Sequence, residues 1–289
     1  MPARCDTTVG MNSIEPTPRA TGAPRLQEGA PASGRNVLIV TAHPEPRSLN
    51  ASLAGFAAAE LRAAGHEVRV SDLYAMKWKA GVDADDFSGH DPAERLDVVA
   101  ASGRATREGR LAADIAAEQE KLLWADAVIL QFPLWWFSVP AVLKGWIDRV
   151  FTHGFGYGDK DMPRYGDGTL AGRRAMLSVT VGAREDAFSD RGIHGALNDV
   201  LFPLQHGLLY YTGMEVLQPF AVWHAIGLGD EEYRAARQAY RERLRTLFTA
   251  PPIPFRPLRG GDYTRSLRLR PGREEPGTGG FALHLRPAR

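Results

Sequence analysis

The sequence predicts an α/β fold, a doubly wound five-stranded parallel sheet with helices on both faces. Two observations carry this. Apolar runs alternate five times with segments of helical period. The runs at 36–42 and 127–130 are continuous rather than alternating, as in parallel strands buried on both faces. A third observation agrees with them. The chemically unusual stretches follow the strand ends, where open α/β sheets take their ligands.

The elements follow in order. Residues 1–35 are rich in Pro, Ala, Gly and Arg without period. They read as a disordered extension, or as a start site placed too far upstream, and they lack the apolar core of a secretory signal. The first strand, 36–42, leads into His43-Pro44-Glu45-Pro46-Arg47-Ser48-Leu49-Asn50. Ser48 predicts a helix N-cap and Gly65 the end of that helix. A second strand covers 67–70. Residues 75–110 are polar with Gly and Asp clusters, and predict one long excursion of the kind that is functional or mobile. A helix over 114–124 precedes the central strand, 127–132. Pro140 suits a first helical turn, and Val142, Leu143, Trp146, Ile147 and Val150 repeat at helical spacing. A loop over 152–172 separates this helix from strand four, 175–181. An apolar helix near 195–212, a fifth strand over 215–223 and an amphipathic helix over 230–249 complete the pattern. From 253 the chain is basic and Pro/Gly-rich, with one short strand-like run at 281–285. The domain reading is an extension over 1–35, a sheet domain over 36–250 and an irregular tail over 251–289.

Bulk composition excludes several classes. The formal net charge of +1 over 289 residues gives no electrostatic case for nucleic acid or an anionic membrane. No run approaches the ~20 apolar residues of a membrane span. One cysteine, Cys5, allows no intrachain disulfide and no cysteine metal site, and no metal is expected; a reducing, cytoplasmic setting fits. Neither G-x-G-x-x-G nor a Walker A motif is present.

Three loops carry the chemistry, and a parallel sheet would open all three on one edge. His43–Asn50 precedes a helix N-terminus, so it is either an anion site or a plain cap. Pro133-Leu134-Trp135-Trp136-Phe137 puts three aromatic residues in a row, either as a wall for a planar ligand or as filler beneath the loop. Thr180-Val181-Gly182 ends strand four, and Gly182 lets backbone approach a ligand closely. A flat ring tethered to phosphate would engage all three, which is the shape of a flavin nucleotide.

The chain resembles the NAD(P)H:quinone oxidoreductase (DT-diaphorase-like) flavoproteins of flavodoxin-like fold. The resemblance rests on Val37-Leu38-Ile39-Val40-x-Ala42-His43-Pro44 with Ser48-x-Asn50; on Ser71-Asp72-Leu73-Tyr74-Ala75-Met76 and Asp114-Ile115-x-Ala117-Glu118-Gln119; on Gln131 to Pro140; on Leu143-Lys144-Gly145-Trp146 and Arg149-Val150-Phe151; and on Gly192-Ile193-His194-Gly195. It covers about residues 36–250. It implies a homodimer with a flavin at each subunit interface, and NAD(P)H and a quinone-like acceptor using one pocket in turn. Carried over by position, His43, Ser48, Leu49 and Asn50 fall on the flavin phosphate side. Pro133, Leu134, Trp136 and Phe137 fall on the ring wall, with Trp135 in a variable place. Thr180, Val181 and Gly182 meet the ring edge, and Arg234 the adenine side. Tyr157, Met162 and Phe188 line the substrate pocket. His194 is the expected catalytic residue, offsetting charge on the flavin; the plainer role is to cap the following helix. The family pattern places a tyrosine beside that histidine, where this chain has Phe188. The long excursion and tail suit FAD, with FMN the alternative. A rival implied by shorter relatives is a flavin-bound regulatory subunit docking on a potassium-efflux transporter.

Overall fold

The computed structural model describes residues 34–287. The expectations for residues 1–33 lie outside the described residues. Six strands form one parallel sheet: β1 (Asn36–Thr41), β2 (Glu67–Asp72), β3 (Ala127–Pro133), β4 (Arg174–Thr180), β5 (Glu215–Val216) and β6 (Phe220–Val222). The spatial order is β2-β1-β3-β4-β5, with β6 also on β4. The expected fifth strand is thus two short pieces along one neighbour. Pro219 lies between them, and a residue without an N–H has no donor to give the ladder with β4.

The described residues form six α-helices: α1 (Leu49–Ala63), α2 (Val98–Glu108), α3 (Ala113–Trp124), α4 (Ala141–Val150), α5 (Leu197–Leu204) and α6 (Asp230–Arg245). Alternate strand residues feed opposite faces. Val37 and Ile39 pack with α1 and α6 through Leu53, Leu61, Tyr240 and Leu244. Leu38 and Val40 pack with α3 and α4 through Ile115, Leu122, Leu143 and Trp146. α1 forms as expected, with Ser48 Oγ accepting the Ala51 N–H at 3.2 Å and Gly65 in the left-handed region.

The 75–110 excursion is not one irregular loop, because α2 lies within it. Asp97 caps α2 through the Ala100 N–H, and Gly109 ends it at φ +64°. A buried ion cluster ties the excursion down. Arg149 of α4 meets Asp86 at 2.8 Å and Asp114 at 2.7 Å, and its guanidinium lies over the Trp78 ring. Gly145 is required here, since a Cβ would meet the Ala80 carbonyl.

Two further expectations are corrected. The apolar helix begins at Leu197 and changes at Gln205 into a π-helical turn, Gln205–Tyr210, just after Pro203. The run at 281–285 is a 3₁₀ turn, Gly280–His284, rather than a strand. Phe281 stacks on Phe202 there, with centroids 4.0 Å apart, and Leu285 bridges to Phe255.

Candidate functional site

The carboxyl ends of β1, β3 and β4 meet at the point where the strand order reverses, between β1 and β3. A buried amide chain joins them. Gln131 Nε2 donates to Asn50 Oδ1 at 2.9 Å, and Asn50 Nδ2 donates to Thr180 Oγ1 at 2.8 Å. Asn50, 3% exposed, belongs to α1, so this chain fixes the helix N-terminus to β3 and β4. The buried Gln131 Oε1 has no protein partner among the described residues. Gln131 was not among the expected site residues. Its signal was a polar side chain inside an otherwise apolar strand.

Beside this chain, Leu49 and Asn50 offer backbone N–H groups that make no hydrogen bond among the described residues. These are the free donors that make a helix N-terminus anion-friendly. His43 Nδ1 accepts from the Glu45 N–H at 3.1 Å. Arg47 pairs with Glu45 at 2.9 Å and holds that carboxyl below the usual range.

The aromatic stretch is a two-residue hairpin. Trp135 and Ser138 exchange both backbone hydrogen bonds at 3.0 Å, and Trp136 and Phe137 take φ of +50° and +60°. Two positive φ angles make a type I′ turn, a conformation favouring Asn and Gly. Aromatic residues there store strain, which clusters at functional sites. The turn faces solvent, with Trp136 94% exposed, while Pro133 is buried and Leu134 partly so. The aromatics therefore do not fill a core beneath the loop.

Phe137 reaches the β4 side. Its ring lies 5.3 Å from His194 and 5.9 Å from Phe188, and Phe188 lies 4.9 Å from His194. Trp223, which sequence reasoning missed, joins Phe188 at 5.7 Å. His43 approaches Trp135 at 6.0 Å on the other side. The His194 ring nitrogens make no hydrogen bond among the described residues; its backbone N–H goes to Ala187. Val181 is buried and Gly182 exposed, and a Cβ on Gly182 would crowd Ile226 Cδ1 at 3.2 Å. Ile193 and Ile226, each 92% exposed, add apolar surface to these loops.

The remaining expected residues are not drawn into this cluster. Arg234 is exposed on α6. Tyr157 and Met162 lie in the 152–172 loop, and the one ring neighbour of Tyr157 among the described residues is His153. No group of three metal-ligating side chains occurs among the described residues.

The chain as a whole has known relatives. Residues 35–247 match the family model described as flavodoxin-like fold. A ribosyldihydronicotinamide dehydrogenase-like protein of Penicillium crustosum is 48% identical over 257 residues, covering 86% of this chain and 95% of its own. Human ribosyldihydronicotinamide dehydrogenase [quinone] is 42% identical over 225 residues, covering 77% and 96%. The crystal structure of a candidate quinone reductase from Klebsiella pneumoniae superposes with a TM-score of 0.84 at 52% identity, covering 87% of this chain and all of that one. The chain belongs to the NAD(P)H dehydrogenase (quinone) family of flavodoxin-like fold.

Proposed function

We propose that this protein is an NAD(P)H-dependent flavin oxidoreductase that reduces quinones or similar ring acceptors by two electrons, holds FAD, and works as a cytoplasmic homodimer. The observation that carries the reading is the meeting, at one sheet edge, of a helix N-terminus, an exposed strained aromatic turn and a histidine with free ring nitrogens. The names of the relatives, quinone and ribosyldihydronicotinamide dehydrogenases, support it. Among the described residues no helix is long and apolar enough to cross a membrane.

The residues fit a flavin nucleotide by their chemistry. The free N–H groups of Leu49 and Asn50, with Ser48 and His43, suit phosphate oxygens. The exposed indole of Trp136 suits a flat ring, while the buried Gln131 amide holds Asn50 at the helix N-terminus. Pro133, Leu134, Trp135 and Phe137 shape the wall, Thr180, Val181 and Gly182 bound the ring edge, and Arg234 takes the adenine side. When bound, a flavin would supply the hydride relay, accepting H⁻ from reduced nicotinamide and passing H⁻ to the quinone, which takes its second proton from water.

The chain's own part is to orient, exclude water and manage charge. His194 offers a hydrogen bond or a proton to negative charge arising beside it. Phe188 packs against His194 but donates no hydrogen bond, so His194 acts without a protein relay partner on that side. Tyr157 and Met162 serve the pocket of a second copy, consistent with His153, not His194, being the ring beside Tyr157 among the described residues.

The test is the visible spectrum of the purified protein, followed by identification of the chromophore released by heat. Flavin bands with free FAD support the proposal, and FMN corrects the cofactor. A colourless protein that takes up no added flavin overturns the site. Turnover of reduced nicotinamide riboside, NADH and NADPH with one quinone then fixes the donor.

A further inference from the structure

The 152–172 loop contains a histidine that the reading above does not use. His153 opens the loop, and its base is fixed on two sides. Thr152 Oγ1 lies 2.9 Å from Thr106 Oγ1 of α2 and accepts from Gln119 Nε2 of α3 at 3.0 Å. From this anchor the chain folds tightly, with the Gly154 N–H donating to the Tyr157 carbonyl at 2.6 Å. His153 and Tyr157 are thereby brought side by side, rings 5.4 Å apart and mutually perpendicular. This edge-to-face geometry is favourable for two aromatic rings.

The imidazole is itself held from two directions. On one side it enters a notch in α2 at Gly103, where a Cβ would stand 2.6 Å from His153 Nδ1. That Nδ1 is buried and unpartnered among the described residues, and Arg107 Nη1 also borders the notch. On the other side Nε2 lies 3.5 Å from Asp159 Oδ1. One ring position therefore fills the notch, faces the exposed Asp159 carboxylate and meets the tyrosine edge.

We propose that His153 is a positioning residue: seated in the α2 notch at Gly103, it fixes the Tyr157 ring and so sets the size of ring acceptor the pocket takes. This rests on the reading that Tyr157 lines the acceptor pocket. It also gives the excursion a task, because α2 supplies the glycine notch. A freely rotating Tyr157 would blur the pocket's width, which a two-ring acceptor feels more than a one-ring acceptor.

The experiment compares KM and kcat for 1,4-naphthoquinone and 1,4-benzoquinone in the flavin-loaded wild type and in His153→Ala, His153→Phe and Tyr157→Ala. Flavin content and melting temperature are recorded for each. The expected result is a roughly three- to tenfold rise in naphthoquinone KM for His153→Ala. The benzoquinone KM changes less, kcat holds, and His153→Phe restores the wild-type ratio because a phenyl ring keeps the edge contact. Two outcomes overturn the inference while leaving the pocket reading intact. One is an effect of Tyr157→Ala with none of His153→Ala; the other is failure of His153→Phe to restore the ratio. If Tyr157→Ala leaves both KM values unchanged, Tyr157 is not in the pocket and the underlying reading fails with it.

Discussion

Trp136→Asn separates the strain in the aromatic turn from its use. Trp136 holds φ +50°, which costs a residue with a Cβ roughly 1–2 kcal/mol. Asn tolerates that region and is favoured at the first central position of a type I′ turn. The indole is 94% exposed, so removing it gives up almost no buried surface. The flavin-free variant should gain about 1 kcal/mol, or about 2 °C in melting temperature. Flavin affinity should move the opposite way. One indole face covers on the order of 100 Å², worth about 2.5 kcal/mol at 25 cal/mol/Å², partly offset by the cost of ordering. The dissociation constant should rise about 10- to 100-fold. Urea titration of the flavin-free protein reads the first effect, and quenching of flavin fluorescence reads the second. Loss of stability would show that the turn is not strained as described. Unchanged affinity would show that Trp136 is not part of the wall.

Three other perturbations test separate parts of the structure. Burial pushes His206 down to about 4, from 6.5 in the open chain. As pH falls the unfolded chain takes this proton first, so stability is intact above pH 6.5 and up to about 3 kcal/mol is lost between there and pH 4. His206→Phe should flatten that limb of the urea midpoint against pH, and an identical limb in both proteins refutes the assignment. Asp86→Asn removes the main partner of the buried Arg149 and should cost about 3 kcal/mol, with faster amide exchange over 79–111; exchange confined elsewhere argues against the clamp. Phe188→Tyr should leave the rate of flavin reduction unchanged or raised, while Phe188→Ala loosens the ring cluster and lowers it. A large loss in Phe188→Tyr with flavin still bound sinks the view that His194 tolerates a hydroxyl beside it.

The parts of the fold visible in the sequence were those with one dominant local cause. Val37 to Val40 and Ala127 to Leu130 are apolar without interruption, and only burial on both faces explains such runs. Ser48 and Gly65 marked α1 because a cap and a left-handed residue have local chemistry. What escaped depended on partners far along the chain. The sequence of α2 is too polar to announce itself, and it is held by a small buried patch with Phe87 and Leu111. The edge strand read as continuous because apolar content outweighed the one missing N–H at Pro219. The turn residues Trp136 and Phe137 were conspicuous by type, but their positive φ angles were not, since aromatic side chains predict the opposite. Gln131 gained significance only when Asn50 and Thr180 arrived beside it from 81 residues upstream and 49 downstream.

The stacking of Phe281 on Phe202 has a consequence for how the chain is made. A ribosome delivers Phe202 and His206 roughly 80 residues before the ring that covers them, an interval of about 4–16 s at ordinary elongation rates. The sheet and α6 can be complete by then, while the aromatic face of the π-helical turn still waits for Phe255, Phe281 and His284. During synthesis this face is uncovered aromatic surface on an otherwise largely formed domain. A trigger-factor-type chaperone should therefore crosslink to nascent chains halted near residue 275 more strongly than to chains released past 287.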